Sequence, residues 1–294
     1  MAILPMDADI LPPADDRIFK ALLTHPDAKR VLTDVVSTVI ERTVVDVQVR
    51  NNELPVMGTD EKAERFDVNC TIDSGDQVDV EMHSTLINEG GEKRINFLNK
   101  YTFYMTDLHS SQKSKGLDYS ELVRTYQVTF CSHPVFNDQP DFVSRFAMRT
   151  ANGILLGDQI NMVIVELSKL NEALKKPIGE LTAFEKWSLF FRFAPDPVQR
   201  NFINDIITNK EEISMAASLL QEISKDERER AILRSRRMAE TDLISNLRTS
   251  EKIGENRERE KWRGVIAEKE AQLAGKDTEI SRLKAELEEI RKKI

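Results

Sequence analysis

Asp67 and Glu81 are the residues of this chain best placed to do chemistry. They lie in FDVNCTI (66–72) and VDVEMHS (78–84), two alternating segments joined by DSGD. Strict apolar/polar alternation reads as a half-buried strand. In the first segment Phe66, Val68, Cys70 and Ile72 share one face and Asp67, Asn69 and Thr71 the other. In the second, Val78, Val80 and Met82 share one face and Asp79, Glu81 and His83 the other. A three-residue loop Asp73-Ser74-Gly75, with Gly75 in the left-handed conformation, closes the hairpin. That register sets Phe66 against Met82, Val68 against Val80, Cys70 against Val78, and Asp67 across from Glu81. Cβ atoms of directly opposed residues are about 4.5–5.5 Å apart. Two carboxylates that close repel unless a proton or a divalent cation sits between them. Mg²⁺ is typically bound by one or two carboxylates plus phosphate oxygens, so such a pair can be a phosphodiesterase centre. The plainer alternative is a polar hairpin face that simply carries acids, and a one-residue slip in register would unpair them.

The elements that must position this pair follow from the flanking patterns. Pro5, Pro12 and Pro13 mark residues 1–14 as an extended arm. Asp15 or Asp16 can cap a helix starting near Arg17, with Ile18, Phe19, Leu22 and Leu23 as its apolar stripe. A second helix follows Pro26, carrying Val31, Leu32, Val35, Val36, Val39 and Ile40 at helical spacing. Residues 44–49 read as a strand, 51–60 as a loop and 84–93 as a polar, Gly-rich mobile loop. A long helical pattern runs from Arg94 to Lys115 and stops at Gly116. Strand patterns recur at 126–136, 154–156 and 162–167, the last a continuous apolar run suited to a central position. A further helical region begins at Pro177; its Trp187, Phe190, Phe191 and Phe193 read as core rather than as a platform for bases. Helix continues from Pro197 to the end. There, Ile266, Leu273, Ile280, Leu287 and Ile294 recur every seven residues. Leu283 and Ile290 fill the intermediate position, while Lys269 and Lys276 do not. That pattern is a short coiled coil able to support a homo-oligomer, or an isolated surface helix.

Composition narrows the function classes. The 294 residues suffice for one large or two small domains. Charged residues make up 31% of them, above the usual share of about 25%, and the excess lies toward the C-terminus. Residues 222–294 carry 19 Lys and Arg against 17 Asp and Glu, so the net charge of −8 leaves −10 on residues 1–221. An acidic body argues against non-specific coating of nucleic acid, which needs phosphate neutralisation, but leaves room for a local basic groove. Arg228, Arg230, Arg234, Arg236 and Arg237 form one dense basic run, read as a solvated helix face or as a phosphate contact. Met1-Ala2-Ile3-Leu4-Pro5 has neither a basic region nor a long apolar run, so no signal peptide is expected. No apolar run approaches the roughly 18–20 residues of a membrane span. Cys70 and Cys131 read as small buried hydrophobes of a reducing compartment, which places the protein in the cytoplasm. Glycine loops for phosphate, Cys/His metal sets and nucleophile elbows are absent from the sequence.

Five pieces of the chain then fall in a recognisable order. Asp16-Arg17-Ile18-Phe19-Lys20 opens a helix, Phe66-Asp67-Val68 starts the hairpin, and Val80-Glu81-Met82-His83 ends it. Arg94, Tyr104 and Lys115-Gly116-Leu117-Asp118-Tyr119 mark a long helix and its exit, and Val165-Glu166-Leu167-Ser168-Lys169 a later strand. Together they resemble the Rpn family of recombination-promoting nucleases, also described as PD-(D/E)XK nuclease family transposases. The resemblance covers about residues 14–195. It implies an α/β fold: a PD-(D/E)XK restriction-endonuclease-like mixed sheet flanked by helices, here followed by a helical C-terminal region ending in the short coiled coil. The division is then an arm at 1–14, the nuclease-like domain at 15–195, a helical extension at 196–260 and the coiled coil at 261–294.

The resemblance also implies divalent-metal-dependent hydrolysis of DNA phosphodiester bonds, by an endonuclease linked to mobile DNA, recombination or defence. Carried over residue by residue, Asp67 and Glu81 hold Mg²⁺ (or Mn²⁺), which polarises the scissile phosphate and lowers the pKa of an attacking water. The third position, Gln or Lys in the family, is His83 here. A histidine can accept the water's proton near neutral pH or donate a hydrogen bond to phosphate, so the departure bears on rate more than on metal binding. Asp16 is the counterpart of an additional acid on the first helix, or a helix cap. Lys20 reads as a solvated helix residue or, less simply, as a DNA contact, and Glu166 and Lys169 either pair with each other or line the site. The alternative is a non-catalytic DNA-binding or regulatory module assembled through its coiled coil, motivated by His83 and the acidic body.

Overall fold

A computed structural model of the chain describes residues 3–50, 67–84, 92–112 and 118–293. Two compact units divide in sequence after Arg230. The first is built on a six-stranded mixed sheet: β1 (Val47–Val49), β2 (Val68–Ile72), β3 (Gln77–His83), β4 (Thr125–Cys131), β5 (Val143–Ala147) and β6 (Ile160–Glu166), in the order β1-β2-β3-β4-β6-β5. Pairing is antiparallel along β1, β2 and β3, parallel from β3 through β4 to β6, and antiparallel again to β5.

The hairpin takes the register that alternation and turn chemistry dictate. Val68 pairs with Val80 and Cys70 with Val78. Gly75 carries φ +86°, a left-handed backbone that few L-residues adopt cheaply. The Ile72 amide donates to the Asp76 carbonyl at 3.0 Å, closing three residues. Asp73 Oδ1 also accepts the Val45 amide at 2.9 Å, which brings the chain into edge strand β1.

The apolar face of the sheet packs on helices from both ends of the unit. In α1 (Asp16–Leu23) the Asp15 side chain caps the amides of Arg17 and Ile18, and Ile18, Phe19, Leu22 and Leu23 turn inward. In α2 (Lys29–Ile40) the same role falls to Val31, Leu32, Val35, Val36, Val39 and Ile40. A capping box between Thr182 and Glu185 starts α4 (Ala183–Phe193). Phe191 of α4 meets Phe19 of α1 and Phe130 of β4 at ring separations of 5.2 and 5.3 Å, and Trp187 is fully buried. Helices α5 (Arg200–Asn209) and α6 (Glu211–Lys225) complete this layer, and α6 packs on α1 and α2. The N-terminal segment lies along them: the Leu4 amide donates to Asn204, the Leu11 amide to Ser224, and Arg200 to the Pro5 carbonyl.

The polar face is covered too. Parallel strands β3 and β4 need a crossover, and α3 (Glu92–Ser110) supplies it, packing on β3, β4 and β6 through Phe97 and Tyr101. This corrects the expectation of half-buried strands. Asn69, Gln77, Asp79, Glu81, Thr125, Gln127 and Thr129 are all buried, because a central strand with a helix on each side has no solvent face. Two further differences concern strands. Residues 154–156 form only an isolated bridge, Leu155 with Arg149, and β5 was not legible because this edge strand shows no alternation. The loop expected at 51–60, most of that at 84–93, Phe66 and the stop at Gly116 lie outside the described residues.

At the end of β6 the buried Glu166 does structural work. Its Oε1 accepts the amides of Val135 and Phe136 at 2.5 and 3.0 Å, and its Oε2 takes Lys169 at 2.8 Å. Lys169 donates as well to the carbonyls of Phe136 and Gln139. The last helix, α7 (Glu227–Lys293), exposes Ile266, Leu273, Ile280, Leu283 and Leu287 along its heptad positions. Among the described residues no helix is long and apolar enough to cross a membrane. Lys169→Met should lower the unfolding free energy by about 3 kcal/mol, because it strands the Glu166 charge in the interior. A urea midpoint shift of that size checks it.

Candidate active site

Asp67 leads into β2 and Glu81 lies on β3, and the hairpin brings their carboxylates together. The Asp67 amide donates to Glu81 Oε1 at 2.8 Å, and the Met82 amide donates to Asp67 Oδ2 at 3.0 Å. Each carboxylate is thereby held on the backbone of the opposing strand. Asp79 precedes Glu81 by two residues, so the strand period of two puts it on the same face. It is fully buried, with Gln127 and Glu81 beside it, yet neither of its oxygens makes a hydrogen bond of ordinary geometry.

The electrostatics follow from that crowding. Burial is the main cause that pushes Asp67 up to about 6; its bond from Met82 opposes the shift, and the charge of Asp16 adds to it. Burial likewise raises Asp79 well above the usual carboxylate range, with Asp67 reinforcing it. Glu81 is raised by burial first, then by Asp79 and Asp67. Lys100 on α3 acts in the opposite direction on all three, and Lys20 on α1 does so on Asp67.

Asp16 sits in the first turn of α1, where its Oδ1 accepts the Arg17 amide at 2.8 Å while Asp15 is the formal cap. Its charge is felt at both Asp67 and His83, so the helix start faces the acid pair. Lys20, expected to be solvated, is half-buried one turn later and bears on the same carboxylate. His83 ends β3 with Nδ1 3.1 Å from Tyr101 Oη and its ring edge-on to Phe97 at 4.9 Å. Burial, with the charges of Lys100 and His133, pushes its pKa down to about 4. The imidazole is therefore neutral at pH 7 and a weaker base than free histidine. Glu166 and Lys169 pair with each other as a clamp on residues 135–139.

Three contributors escaped the sequence reading: Asp79, Lys100 and Tyr101. The alternation VDVEMH already placed Asp79 beside Glu81. Lys100 and Tyr101 had no local signal, because only the return of α3 over the sheet brings them to the acids.

The donor set suits a hard divalent cation, being made of carboxylate oxygens whose mutual repulsion is only partly relieved. Buried Asp79, whose two oxygens find no hydrogen bond of ordinary geometry, is the clearest sign that these carboxyls are costly to ionise. Among the described residues no three His, Cys, Asp or Glu side chains are already drawn around one point. Asp67 and Glu81 would supply the protein's ligands, leaving other positions to water and phosphate.

These raised carboxyls set a pH dependence. A carboxyl unfolds to a pKa near 4, so one raised in the fold stays protonated there while its unfolded counterpart ionises. Stability is complete below about pH 4 and falls as pH rises toward the folded pKa. For Asp67, the shift from 3.8 to about 6 corresponds to roughly 3 kcal/mol. Asp79→Asn has no proton to take up on folding, so it escapes this penalty at nearly constant shape and should stabilise the metal-free protein at pH 7 by about 1–3 kcal/mol. The gain should shrink at pH 4.5, as paired denaturation curves in EDTA would measure.

Neither a curated protein nor a solved structure matches the chain. The sequence pattern of a known family, PD-(D/E)XK nuclease family transposase, matches residues 13–250. The match spans both acids of the hairpin, the α1 acid and the α3 crossover. The protein therefore belongs to the PD-(D/E)XK nuclease family transposases.

Proposed function

We propose that the protein is a divalent-metal-dependent DNA endonuclease whose cation, Mg²⁺ or Mn²⁺, is held by Asp67 and Glu81. The observation that carries this reading is the reciprocal anchoring of the two acids, each accepting an amide from the opposing strand. Such anchoring holds two acids where a flexible pair would separate, and a divalent cation relieves their repulsion where a proton would otherwise do so.

A bound divalent cation supplies Lewis-acid polarisation of a phosphate and a more acidic attacking water. The chain's own residues do the rest. Asp67 and Glu81 orient the centre through their fixed carboxylates. Asp16 adds negative field from the α1 side and Lys20 balances it. His83, neutral and bonded to Tyr101, can accept or donate a hydrogen bond but holds a proton poorly at pH 7. The exposed heptad positions of α7 are assigned to self-association, and the substrate is DNA, as the family name implies. The word transposase in that name is not taken to mean strand transfer.

A second reading is favoured by the packing of His83: a site whose third residue is packed into an aromatic cluster suits a module that binds DNA without cutting it. Cleavage of supercoiled plasmid by purified protein separates the two. We expect nicking and linearisation with Mg²⁺ or Mn²⁺, none with EDTA, and a fall of about 100-fold or more for Asp67→Ala and for Glu81→Gln. Absence of cleavage with every metal, or equal cleavage by the variants, would favour the binding module.

A further inference from the structure

Phosphodiester hydrolysis gathers negative charge on the phosphate, and a positively charged side chain beside the cation normally stabilises it. His83 is a poor source of that charge. Its ring is wedged between Phe97 and Tyr101, at 4.9 and 5.9 Å between centroids, and Nδ1 is engaged by Tyr101 Oη.

A short chain of contacts leads from His83 to another cation. Tyr101 Oη lies 3.1 Å from His83 Nδ1 and 3.4 Å from Lys100 Nζ. The Lys100 ammonium stands over the rings of Tyr101 and Tyr104, 4.7 and 5.1 Å from their centroids. Two aromatic faces and a phenol oxygen fix an ammonium that would otherwise sweep freely. Tyr101 is fully buried, whereas Lys100 is exposed, so the charge is anchored on the protein side and open to solvent on the other. Lys20 bears on Asp67, whereas Lys100 bears on Asp67, Asp79 and Glu81 together.

We propose that Lys100 is a catalytic residue of this site: its ammonium, held over Tyr101 and Tyr104, contacts the scissile phosphate and supplies the positive charge that position 83 does not. The proposal rests on the nuclease reading above. Lys100 moves no proton and forms no bond to phosphorus; it acts by charge alone.

The test compares Lys100→Ala, Lys100→Arg and the double variant Lys100→Ala/His83→Lys with wild type. Three readouts are taken: Mg²⁺-dependent cleavage of a linear duplex, binding of fluorescein-labelled duplex in Ca²⁺, and the rise in melting temperature on adding Mn²⁺. Lys100→Ala should lose about 100-fold in kcat while keeping the Mn²⁺ rise, and Lys100→Arg should retain most activity. His83→Lys on the Lys100→Ala background should restore cleavage by about 10-fold, since it returns a cation to the same phosphate. Cleavage by Lys100→Ala within about twofold of wild type would overturn the proposal. So would loss of the Mn²⁺ rise in that variant, because Lys100 would then be supporting the acids. Should wild type itself not cleave, the nuclease reading fails separately and binding in Ca²⁺ decides. Labelled duplex held about fivefold more weakly by Lys100→Ala would keep Lys100 as a phosphate contact, and equal binding would remove it.

Discussion

Three carboxyls, those of Asp67, Asp79 and Glu81, share one face of a sheet beneath a helix, and their charges meet only partial compensation from the protein. Removing a carboxylate from water is costly, and each added acid raises the cost of ionising the others. The surrounding structure is arranged to tolerate this. Backbone amides of Asp67 and Met82 each hold one acid, and Lys100 and Lys20 offset part of the field. Asp79 receives no backbone amide, and its oxygens have only Gln127 and Glu81 beside them at less than ordinary hydrogen-bond geometry. A site under such tension favours a protonated state, and in the function proposed here a divalent cation would take the proton's place. Local destabilisation of that kind is common where a fold carries chemistry.

The remainder of the unit supplies what the acid face does not. On the opposite face Val68, Cys70, Val78, Val80, Val128 and Phe130 are all buried under α1, α2 and α4, with the Phe19–Phe130–Phe191 cluster at the centre. This apolar layer keeps β2 and β3 in a register that a one-residue slip would invert, moving every acid to the apolar face. Parallel pairing of β3 with β4 then requires the α3 crossover, and that crossover delivers Phe97, Lys100 and Tyr101 to the polar side. Topology and chemistry are coupled here: one helix both closes the sheet and covers the face on which Asp79 and Glu81 are buried.

How much of this was legible in the sequence depends on the range of the interaction. The hairpin is local, so alternation and the Asp-Ser-Gly turn gave its register residue by residue, and with it the pairing of Asp67 with Glu81. The start of α1 at an Asp cap and the apolar stripe of α2 were equally local. The burial of the polar face was not, because the same alternation describes a strand facing water and one facing a polar helix interface. For the same reason Lys100 and Tyr101 carried no signal: about one turn of α3 reaches the acids, and nothing in RINFLNKY says which. Strand β5 was missed because an edge strand with one exposed face needs no pattern, and Ile154 to Leu156 misled because apolar residues in a turn can imitate a strand.

The claim that most of this depends on is that the hairpin acids jointly hold a divalent cation. Calorimetric titration of Mn²⁺ into wild-type protein and Glu81→Gln at pH 7, repeated in two buffers of different ionisation heat, tests it most directly. Wild type should bind saturably with net release of protons, since burial keeps these carboxyls partly protonated until the cation displaces the proton, and Glu81→Gln should bind markedly more weakly. Absence of binding, or binding that Glu81→Gln leaves unchanged, would contradict it.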